Sequence, residues 1–275
     1  MGPLRRLRAI SAQACAAAAE PDFPVEGAAL VFGGSGGLGA EIVLALVEAG
    51  SHVHFTYNSQ EAFAAELAAR AGRARPDRRA TSSRCSNADL GSVQAAVDEA
   101  CRTHGSIHTL VYASGPGVRY ARPLKISPEE FGRQMDLDVN GFFNMLHCGV
   151  PRLLETKGSV VAVTTCATQQ VNPGGVLSAV PKAAVHMLAR HFASEYAGQG
   201  LRVNCAGVGP IETRGMGQRL MEAMSEASLE QLKRRQRMGR MGTGREVADL
   251  VVFLSSRRAS YINRQVVNVD GGLMI

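Results

Sequence analysis

Residues 33–39 read Gly33-Gly-Ser-Gly-Gly37-Leu-Gly39, and they stand between the apolar run Ala28–Phe32 and a segment at 40–49 with helical apolar spacing. A glycine-rich turn at a first strand–helix junction lets backbone approach a phosphate and leaves the amides of the helix start free to bind it. Glycine also permits the tight turn and lets the helix pack close to the sheet. The spacing G-x-x-x-G-x-G therefore predicts a dinucleotide pyrophosphate site at the head of the domain.

Short apolar runs then alternate with helical stretches along the rest of the chain. Further strands are predicted at 52–57, 81–85, 109–113, 159–164, 202–206 and 266–269, and further helices at 60–71, 93–104, 129–148, 183–196 and 245–254. Strand–helix alternation of this kind gives a parallel sheet with helices on both faces. We expect an α/β, Rossmann-type doubly wound sheet of about seven strands in a single domain at 28–275, after an extension at 1–27.

The composition excludes several function classes. The chain has 275 residues, of which 45% are hydrophobic and 20% charged, and no apolar run reaches the length of a membrane-spanning helix. Its six cysteines form no CxxC pair or His/Cys cluster, which argues against a metal site or a disulfide framework and favours a reducing compartment. Aromatic residues make up only 5% and Trp is absent, so a nucleic-acid stacking platform is not expected.

The net charge of +6 has two interpretations. The basic residues, mostly Arg, are spread along the chain and fit a solvated surface, which is the interpretation that we favour. The alternative is a site that attracts phosphates or acidic thioesters.

Residues 1–19 are rich in Ala, carry Arg5, Arg6 and Arg8, and contain no acid. This pattern fits a mitochondrial presequence, and it also fits an extension of a cytoplasmic protein, which we favour. Pro21 and Pro24 then interrupt any helix before the domain.

The chain resembles the short-chain dehydrogenase/reductase family from about residue 28 to 275, most of all its 3-oxoacyl-ACP reductases. The likeness is carried by the glycine-rich turn and by three later motifs: Leu201-Arg-Val-Asn-Cys-Ala-Gly-Val-Gly-Pro-Ile-Glu-Thr213, Met238-Gly-Arg-Met-Gly-Thr-Gly-Arg-Glu-Val-Ala-Asp249 and Gln265-Val-Val-Asn-Val-Asp-Gly-Gly272. The resemblance implies a nicotinamide cofactor and a mobile substrate lid at 216–237. An ordinary pair of amphipathic helices would give the same lid sequence.

The resemblance also identifies cofactor-binding positions, which are Gly33, Ser35, Gly36, Gly37, Leu38, Gly39, Tyr57, Asn58, Ser59, Ser86, Asn87, Ala113, Ser114, Gly115, Lys182, Gly209, Ile211 and Thr213. No acid follows the second strand, where a carboxylate would bind a ribose diol and repel a 2′-phosphate. This favours NADP (NADPH) over NAD, with Arg84 as a further phosphate contact. Two motifs depart from the family pattern: Ser86-Asn87 replaces Asp-Val, and Tyr112-Ala-Ser-Gly115 replaces Asn-Asn-Ala-Gly.

The family reduces carbonyls with Asn, Ser, Tyr and Lys acting together. Carried over by motif, the Asn is Asn140, the Ser is Thr165 and the Lys is Lys182, but the Tyr position holds Ser178. A serine hydroxyl is a far weaker acid than a phenol and reaches less far. Carbonyl reduction should therefore lose much of the 10²–10⁴-fold, roughly, that general acid catalysis contributes.

Three hypotheses follow for the reaction. The enzyme reduces a conjugated thioester, as 2,4-dienoyl-CoA reductases do with Ser-x-x-x-Lys, although they carry a Tyr where this chain has Ala167. Alternatively, water, Thr165 or Lys182 protonates an activated ketone. In the third hypothesis, the chain is an attenuated NADP-binding subunit or a non-redox enzyme on the same scaffold. Retention of Asn140, Thr165 and Lys182 together favours an active reductase of a small carbonyl or acyl-thioester substrate.

The family resemblance also implies a homotetramer, or a dimer if the N-terminal extension interferes. The segments 141–146 and 185–189 are apolar enough for helix–helix interfaces. The residues that would select the substrate, at 116–125, 171–176 and 216–237, carry no recognisable pattern.

Overall fold

The computed structural model describes residues 21–222 and 224–274. The strands are β1 (Ala28–Phe32), β2 (His52–Tyr57), β3 (Ala80–Arg84), β4 (Ile107–Tyr112), β5 (Ser159–Thr165), β6 (Arg202–Val208), β7 (Ile211–Glu212), β8 (Gly242–Thr243) and β9 (Val266–Val269). The α-helices are α1 (Gly37–Glu48), α2 (Glu61–Ala74), α3 (Leu90–His104), α4 (Pro128–Met135), α5 (Gly141–Thr156), α6 (Val176–Tyr196), α7 (Met216–Glu222), α8 (Glu226–Arg235) and α9 (Gly244–Ser255).

Seven of these strands form one parallel sheet in the order β3-β2-β1-β4-β5-β6-β9, while β7 and β8 pair separately. The chain crosses from the β3 edge back to β4 beside β1, so the strand order reverses between β1 and β4. In an open α/β sheet this reversal opens a crevice at the carboxyl ends of the strands, where ligands bind. The predicted doubly wound sheet of about seven strands is confirmed.

Strand residues alternate between two apolar cores. Ala29 and Val31 of β1 face the cluster that covers α1, α2 and α9, whereas Leu30 and Phe32 face the cluster under α3, α5 and α6. All five residues of β1 are fully buried. Burial on both faces explains why this strand is a continuous apolar run in sequence.

The predicted helix at 129–148 is wrong as a single element. A π-helical turn, Asp136–Asn140, separates α4 from α5. The Gly141 amide donates to the Asp136 carbonyl oxygen across this turn, which inserts an extra residue into the helical ladder. The buried face of the helix continues across this turn, from Gln134 through Asp138 to Phe142.

Residues 21–27 pack against the domain rather than away from it. Phe23 is buried with its ring centroid 5.7 Å from that of His108, and Asp22 pairs with Arg258 at 3.1 Å. The predicted division at residue 27 stays a prediction, since residues 1–20 lie outside the described part of the chain. Among the described residues, no helix is long and apolar enough to cross a membrane.

Candidate functional site

The glycine-rich turn forms a close-packed cradle at the carboxyl end of β1. Gly33 has φ +79°, and a Cβ added there would lie 2.8 Å from the Ser114 Cα atom. A Cβ on Gly39 would collide with the Gly33 carbonyl oxygen. Helix α1 starts directly after Gly36, and no side chain caps its first amides. A turn without side chains and helix amides without a side-chain cap together fit the pyrophosphate of a dinucleotide.

The predicted adenosine contacts lie at the ends of β2 and β3. The Arg84 Nε atom donates to the Asn58 carbonyl oxygen at 3.1 Å, which places a guanidinium beside the exposed Asn58 and Ser59. The Ser86 amide donates to the Ser92 hydroxyl at 3.0 Å. The Asn144 side chain, which the sequence analysis did not identify, donates to the Asn87 carbonyl oxygen at 3.0 Å and positions that residue.

The ends of β4 and β6 supply the other predicted cofactor positions. Ala113 and Ser114 leave β4 beside Gly33, and the Ala113 amide donates to the Phe32 carbonyl oxygen at 2.9 Å. After β6, Gly209 lies against Asp270. Ile211 is buried in β7, and Thr213 contacts Gly37 at the start of α1. The structure therefore brings the predicted residues of the turn and of both loops to one crevice.

A buried ion pair lies at the base of this crevice. The Lys182 Nζ atom is 2.6 Å from Asp138 Oδ1, and the two side chains are 13% and 2% exposed. The Gln134 amide donates to the other carboxylate oxygen at 3.2 Å. A Cβ added to Gly115 would lie 3.3 Å from Asp138 Oδ1 and 3.6 Å from Lys182 Nζ, so the backbone that leaves β4 borders the pair directly.

The π turn positions Asp138, and Tyr112 stabilises the π turn. The Tyr112 hydroxyl donates to the Leu137 carbonyl oxygen at 2.8 Å. Lys182 Nζ lies 5.6 Å from the centre of the Tyr112 ring. Burial, followed by the nearby Asp138 carboxylate, raises the pKa of Tyr112 far above its usual range. Tyr112 is fully buried, so it supports the site from beneath and donates no proton within the crevice.

The structure does not place Asn140 with Lys182. Asn140 is exposed, and its side-chain amide donates to Asp136 Oδ1 at 2.8 Å. Asp138 points inwards instead, because it shares a helical face with the buried Phe142 and Met145, four and seven residues further on. This spacing was the signal available in the sequence, and it places Asp138 in the position that motif matching had given to Asn140.

Two hydroxyl groups accompany the ion pair. Thr165 ends β5, where its hydroxyl donates to the Val208 carbonyl oxygen at 3.4 Å and accepts from the Ala167 amide at 3.2 Å. Ser178 is half-buried in the first turn of α6, one helical turn before Lys182 on the same face. Within the described residues, the Ser178 hydroxyl has no hydrogen-bond partner. Thr165 therefore lies at the end of β5, and Ser178 and Lys182 lie on α6, which begins seven residues before the predicted start at 183.

A neutral histidine lies below Lys182. His186 follows it by one turn of α6, and its Nε2 atom hydrogen-bonds with the Thr164 hydroxyl at 2.7 Å. Burial, with smaller effects from Arg190 and Lys182, lowers the pKa of His186 to about 4. The next residue after Thr165 is Cys166, and burial raises the pKa of its thiol to about 11. Neither group is charged at neutral pH, so the Asp138–Lys182 pair dominates the local electrostatics.

Comparisons with known proteins agree with this geometry. A family model described as enoyl-(acyl carrier protein) reductase matches residues 33–274. A 3-oxoacyl-[acyl-carrier-protein] reductase of Thermotoga maritima is 32% identical over 188 residues, which cover 68% of this chain and 74% of that protein. The chain belongs to the short-chain dehydrogenase/reductase family. It is accordingly an NAD(P)-dependent oxidoreductase, similar to the 3-oxoacyl-ACP reductases within that family.

The chain is also similar to two further proteins of this kind. A probable 2,4-dienoyl-CoA reductase of Caenorhabditis elegans is 31% identical over 186 residues, or 67% of this chain and 60% of that protein. The solved structure of a short-chain oxidoreductase of Pseudomonas aeruginosa PAO1, which contains an atypical catalytic center, superposes with a TM-score of 0.82 at 27% identity. The superposition covers 90% of this chain and 97% of the other.

Proposed function

We propose that the chain is an NADP(H)-dependent reductase of a carbonyl or conjugated acyl thioester, with Asp138, Thr165, Ser178 and Lys182 as its catalytic group. The observation that carries the proposal is the Asp138–Lys182 ion pair at 2.6 Å, which borders Gly115 on the segment that leaves β4 beside the glycine-rich turn. A cofactor in this cradle supplies hydride to the substrate.

The preference for NADP(H) rests on charge at the ends of β2 and β3. Tyr57, Asn58 and Ser59 bring no carboxylate, and Arg84 is held beside them through the Asn58 carbonyl oxygen. A 2′-phosphate would meet hydroxyl, amide and guanidinium donors there, and no acid at these positions would repel it.

In this proposal Lys182 binds and orients the cofactor, and it does not donate the proton to the product. Its ammonium donates to Asp138, and the remaining protons are available to a cofactor hydroxyl at the crevice floor. The carboxylate keeps the ammonium charged and in place, since breaking a buried ion pair is strongly unfavourable. The pair therefore fixes the cofactor rather than moving a proton.

No phenol stands at position 178. Tyr112 is buried beneath the site, and the exposed Tyr120 lies near Gly175 at the start of α6. In this proposal the proton reaches the product from water or through the Ser178 and Thr165 hydroxyls, which are weak acids. Weak donors suffice where negative charge develops as a thioester enolate, because hydrogen bonds alone stabilise that anion.

Weak proton donation also favours an alternative from another class. An ion pair that cancels the Lys182 charge, without a phenol beside it, suits a chain that binds NADP(H) and has lost most turnover. Such a chain would act as a cofactor-binding subunit.

The test is NADPH oxidation at 340 nm by the wild type against parallel panels of 3-oxoacyl and 2,4-dienoyl thioesters. Turnover that falls at least about tenfold in Lys182→Ala and in Thr165→Ala supports the reductase. Ser194→Ala is the control for both variants. Ser194 lies exposed on the same helix as Lys182, and its hydroxyl donates to the Arg190 carbonyl oxygen. Tight NADPH binding without turnover on either panel would favour the binding subunit.

We also propose a homotetramer in the cytoplasm, with a single domain at 28–275. Exposed Phe143, Val180 and Met187 on α5 and α6 are 44%, 42% and 52% accessible, and they suit a helix–helix interface with a second copy. The five described cysteines are free, as in a reducing compartment. Light scattering of the wild type and of Phe143→Asp tests the assembly, and the charged variant should dissociate.

A further inference from the structure

The residue that follows Thr213 lies across the glycine-rich turn. Arg214 comes directly after β7, and its carbonyl oxygen occupies the space where a Cβ on Gly37 would stand. The Thr213 hydroxyl lies 2.9 Å from the same point. Only glycine at 37 allows the chain to pass so close to the start of α1. This contact places Arg214 at the turn even though 177 residues separate the two positions.

The Arg214 side chain extends towards the adenosine side of the crevice. Its Cζ atom lies 3.5 Å from the centre of the Phe63 ring, and Nη2 donates a long hydrogen bond to the Ser35 carbonyl oxygen at 3.4 Å. Phe63 belongs to the first turn of α2, which begins just after Asn58 and Ser59. The guanidinium is therefore stacked between the glycine-rich turn and the segment that ends β2.

Arg214 and Arg84 carry charges without an acidic partner among the described residues, where no carboxylate lies within salt-bridge distance of either guanidinium. The Ser35 contact is long and leaves most of the guanidinium donors free. Arg84 lies at the Asn58 carbonyl oxygen and Arg214 lies over Phe63, at either end of the segment 58–63, and guanidinium groups suit a phosphate dianion.

We infer that Arg214 recognises the 2′-phosphate of NADP(H), so that the cofactor preference comes partly from the segment after β7 rather than from the sheet alone. The inference rests on the proposed NADP(H) dependence and adds the residue that enforces it. Arg214 immediately precedes Gly215 and α7, so a phosphate on its guanidinium also fixes the entry to the 216–222 segment. NADPH should order this segment, while NADH, which lacks the phosphate, should not.

The experiment measures binding and does not need turnover. Dissociation constants for NADPH, NADH, adenosine 2′,5′-bisphosphate and AMP are determined by nucleotide fluorescence or calorimetry for the wild type, Arg214→Ala and Arg214→Lys. Arg214→Ala should raise the constants for NADPH and the bisphosphate about ten- to a hundredfold and leave NADH and AMP within about twofold. Arg102→Ala is the control, because Arg102 pairs with Glu99 on the exposed surface of α3.

A second measurement follows amide hydrogen exchange at 211–222 with each cofactor. Protection by NADPH but not by NADH in the wild type, lost in Arg214→Ala, supports the inference. Equal losses of NADPH and NADH affinity in Arg214→Ala, or no loss, would overturn it while leaving the proposed cofactor preference intact. A wild type that binds NADH as tightly as NADPH would overturn both.

Discussion

A tyrosine introduced at position 178 tests how the Asp138–Lys182 pair sets the electrostatics of the site. Ser178→Tyr restores a phenol one helical turn from Lys182, and Ser178→Tyr/Asp138→Asn restores it beside a lysine without a carboxylate partner. We expect the phenol to ionise near neutral pH only in the double variant. The reason is that the carboxylate, 2.6 Å from Nζ, cancels most of the field that would stabilise phenolate.

The magnitude follows from Coulomb's law. A lysine charge at about 5 Å in an effective dielectric of about 20 stabilises phenolate by about 3.3 kcal/mol, or about 2.4 pKa units. A carboxylate on the far side of that ammonium, at about 7.5 Å, opposes this with about 2.2 kcal/mol. The net effect in the single variant is about 0.8 pKa unit, which leaves the phenol near pKa 9. In the double variant the phenol should titrate about 1.6 units lower.

Tyrosinate absorbance at 295 nm gives this pKa directly, by difference from the wild type. The pH profile of 3-oxoacyl thioester reduction gives it a second time if the substrate is accepted. Asp138→Asn alone is the control and should show no new titration, and circular dichroism with NADPH binding checks that each variant folds. Equal phenol pKa values in the single and double variants would refute the cancellation.

Three further predictions concern stability and the cradle. Burial lowers the pKa of His54 and of His108 to about 4, so the unfolded chain binds protons more readily below pH 6.5 and stability falls as the pH drops from 6.5 to 4. Urea unfolding at pH 7.5 and 5 should differ by about 2 kcal/mol for each histidine, and His108→Gln, unlike the exposed control His191→Gln, should reduce that difference. Tyr112→Phe removes the bond to the Leu137 carbonyl oxygen and should lower the free energy of unfolding by about 1 kcal/mol or more; an unchanged value would contradict its role at the π turn. Gly37→Ala should abolish NADPH binding and retain the circular dichroism spectrum, because a Cβ there displaces Arg214, and retained affinity would count against the cradle.

The sheet could be predicted from sequence because its determinants are local. Each strand is a short buried run, and each crossover helix shows helical spacing of apolar residues. The start of α6 illustrates the limit of this approach, whereas its end at Tyr196 agrees with the prediction. The sequence predicts a start at 183, after Pro181, whereas the helix begins at Val176. A proline in the sixth position loses one hydrogen bond and is tolerated close to the helix start.

The predicted cofactor positions were found together for the same reason, since glycine spacing and strand ends fix the backbone. Arg214 was not identified as a candidate, because its role depends on a contact between two distant segments. The stacking on Phe63 and the close approach to Gly37 become visible only once β6 and β7 are placed beside α1. The backbone positions of the cofactor site could therefore be predicted, whereas a side chain that reaches the site from a distant segment, as Arg214 does, could not.

The structure does not bring Asn140 to Lys182, because Asn140 lies two residues beyond Asp138, off the buried face of the helix, where its amide donates to Asp136. The apolar face of α5 would have located Asp138, yet a carboxylate on that face contradicts the expectation that buried helix faces are apolar. Such a carboxylate needs a partner, and Lys182 is the partner that the structure supplies at 2.6 Å.

The residues at positions 138 and 178 are physically consistent with each other in the proposed site. A carboxylate beside Lys182 would be harmful in a site where a phenol must give up its proton near neutral pH, because it raises the pKa of that phenol. With Ser178 at this position there is no phenol whose pKa the carboxylate could raise. The carboxylate then acts only to hold the Lys182 ammonium in place. In the proposed reductase, Asp138 and Ser178 act together, because Lys182 would hold the cofactor without influencing proton transfer. The substrate of such a reductase would accept hydride at a carbon whose neighbouring charge is stabilised by hydrogen bonds rather than by immediate protonation.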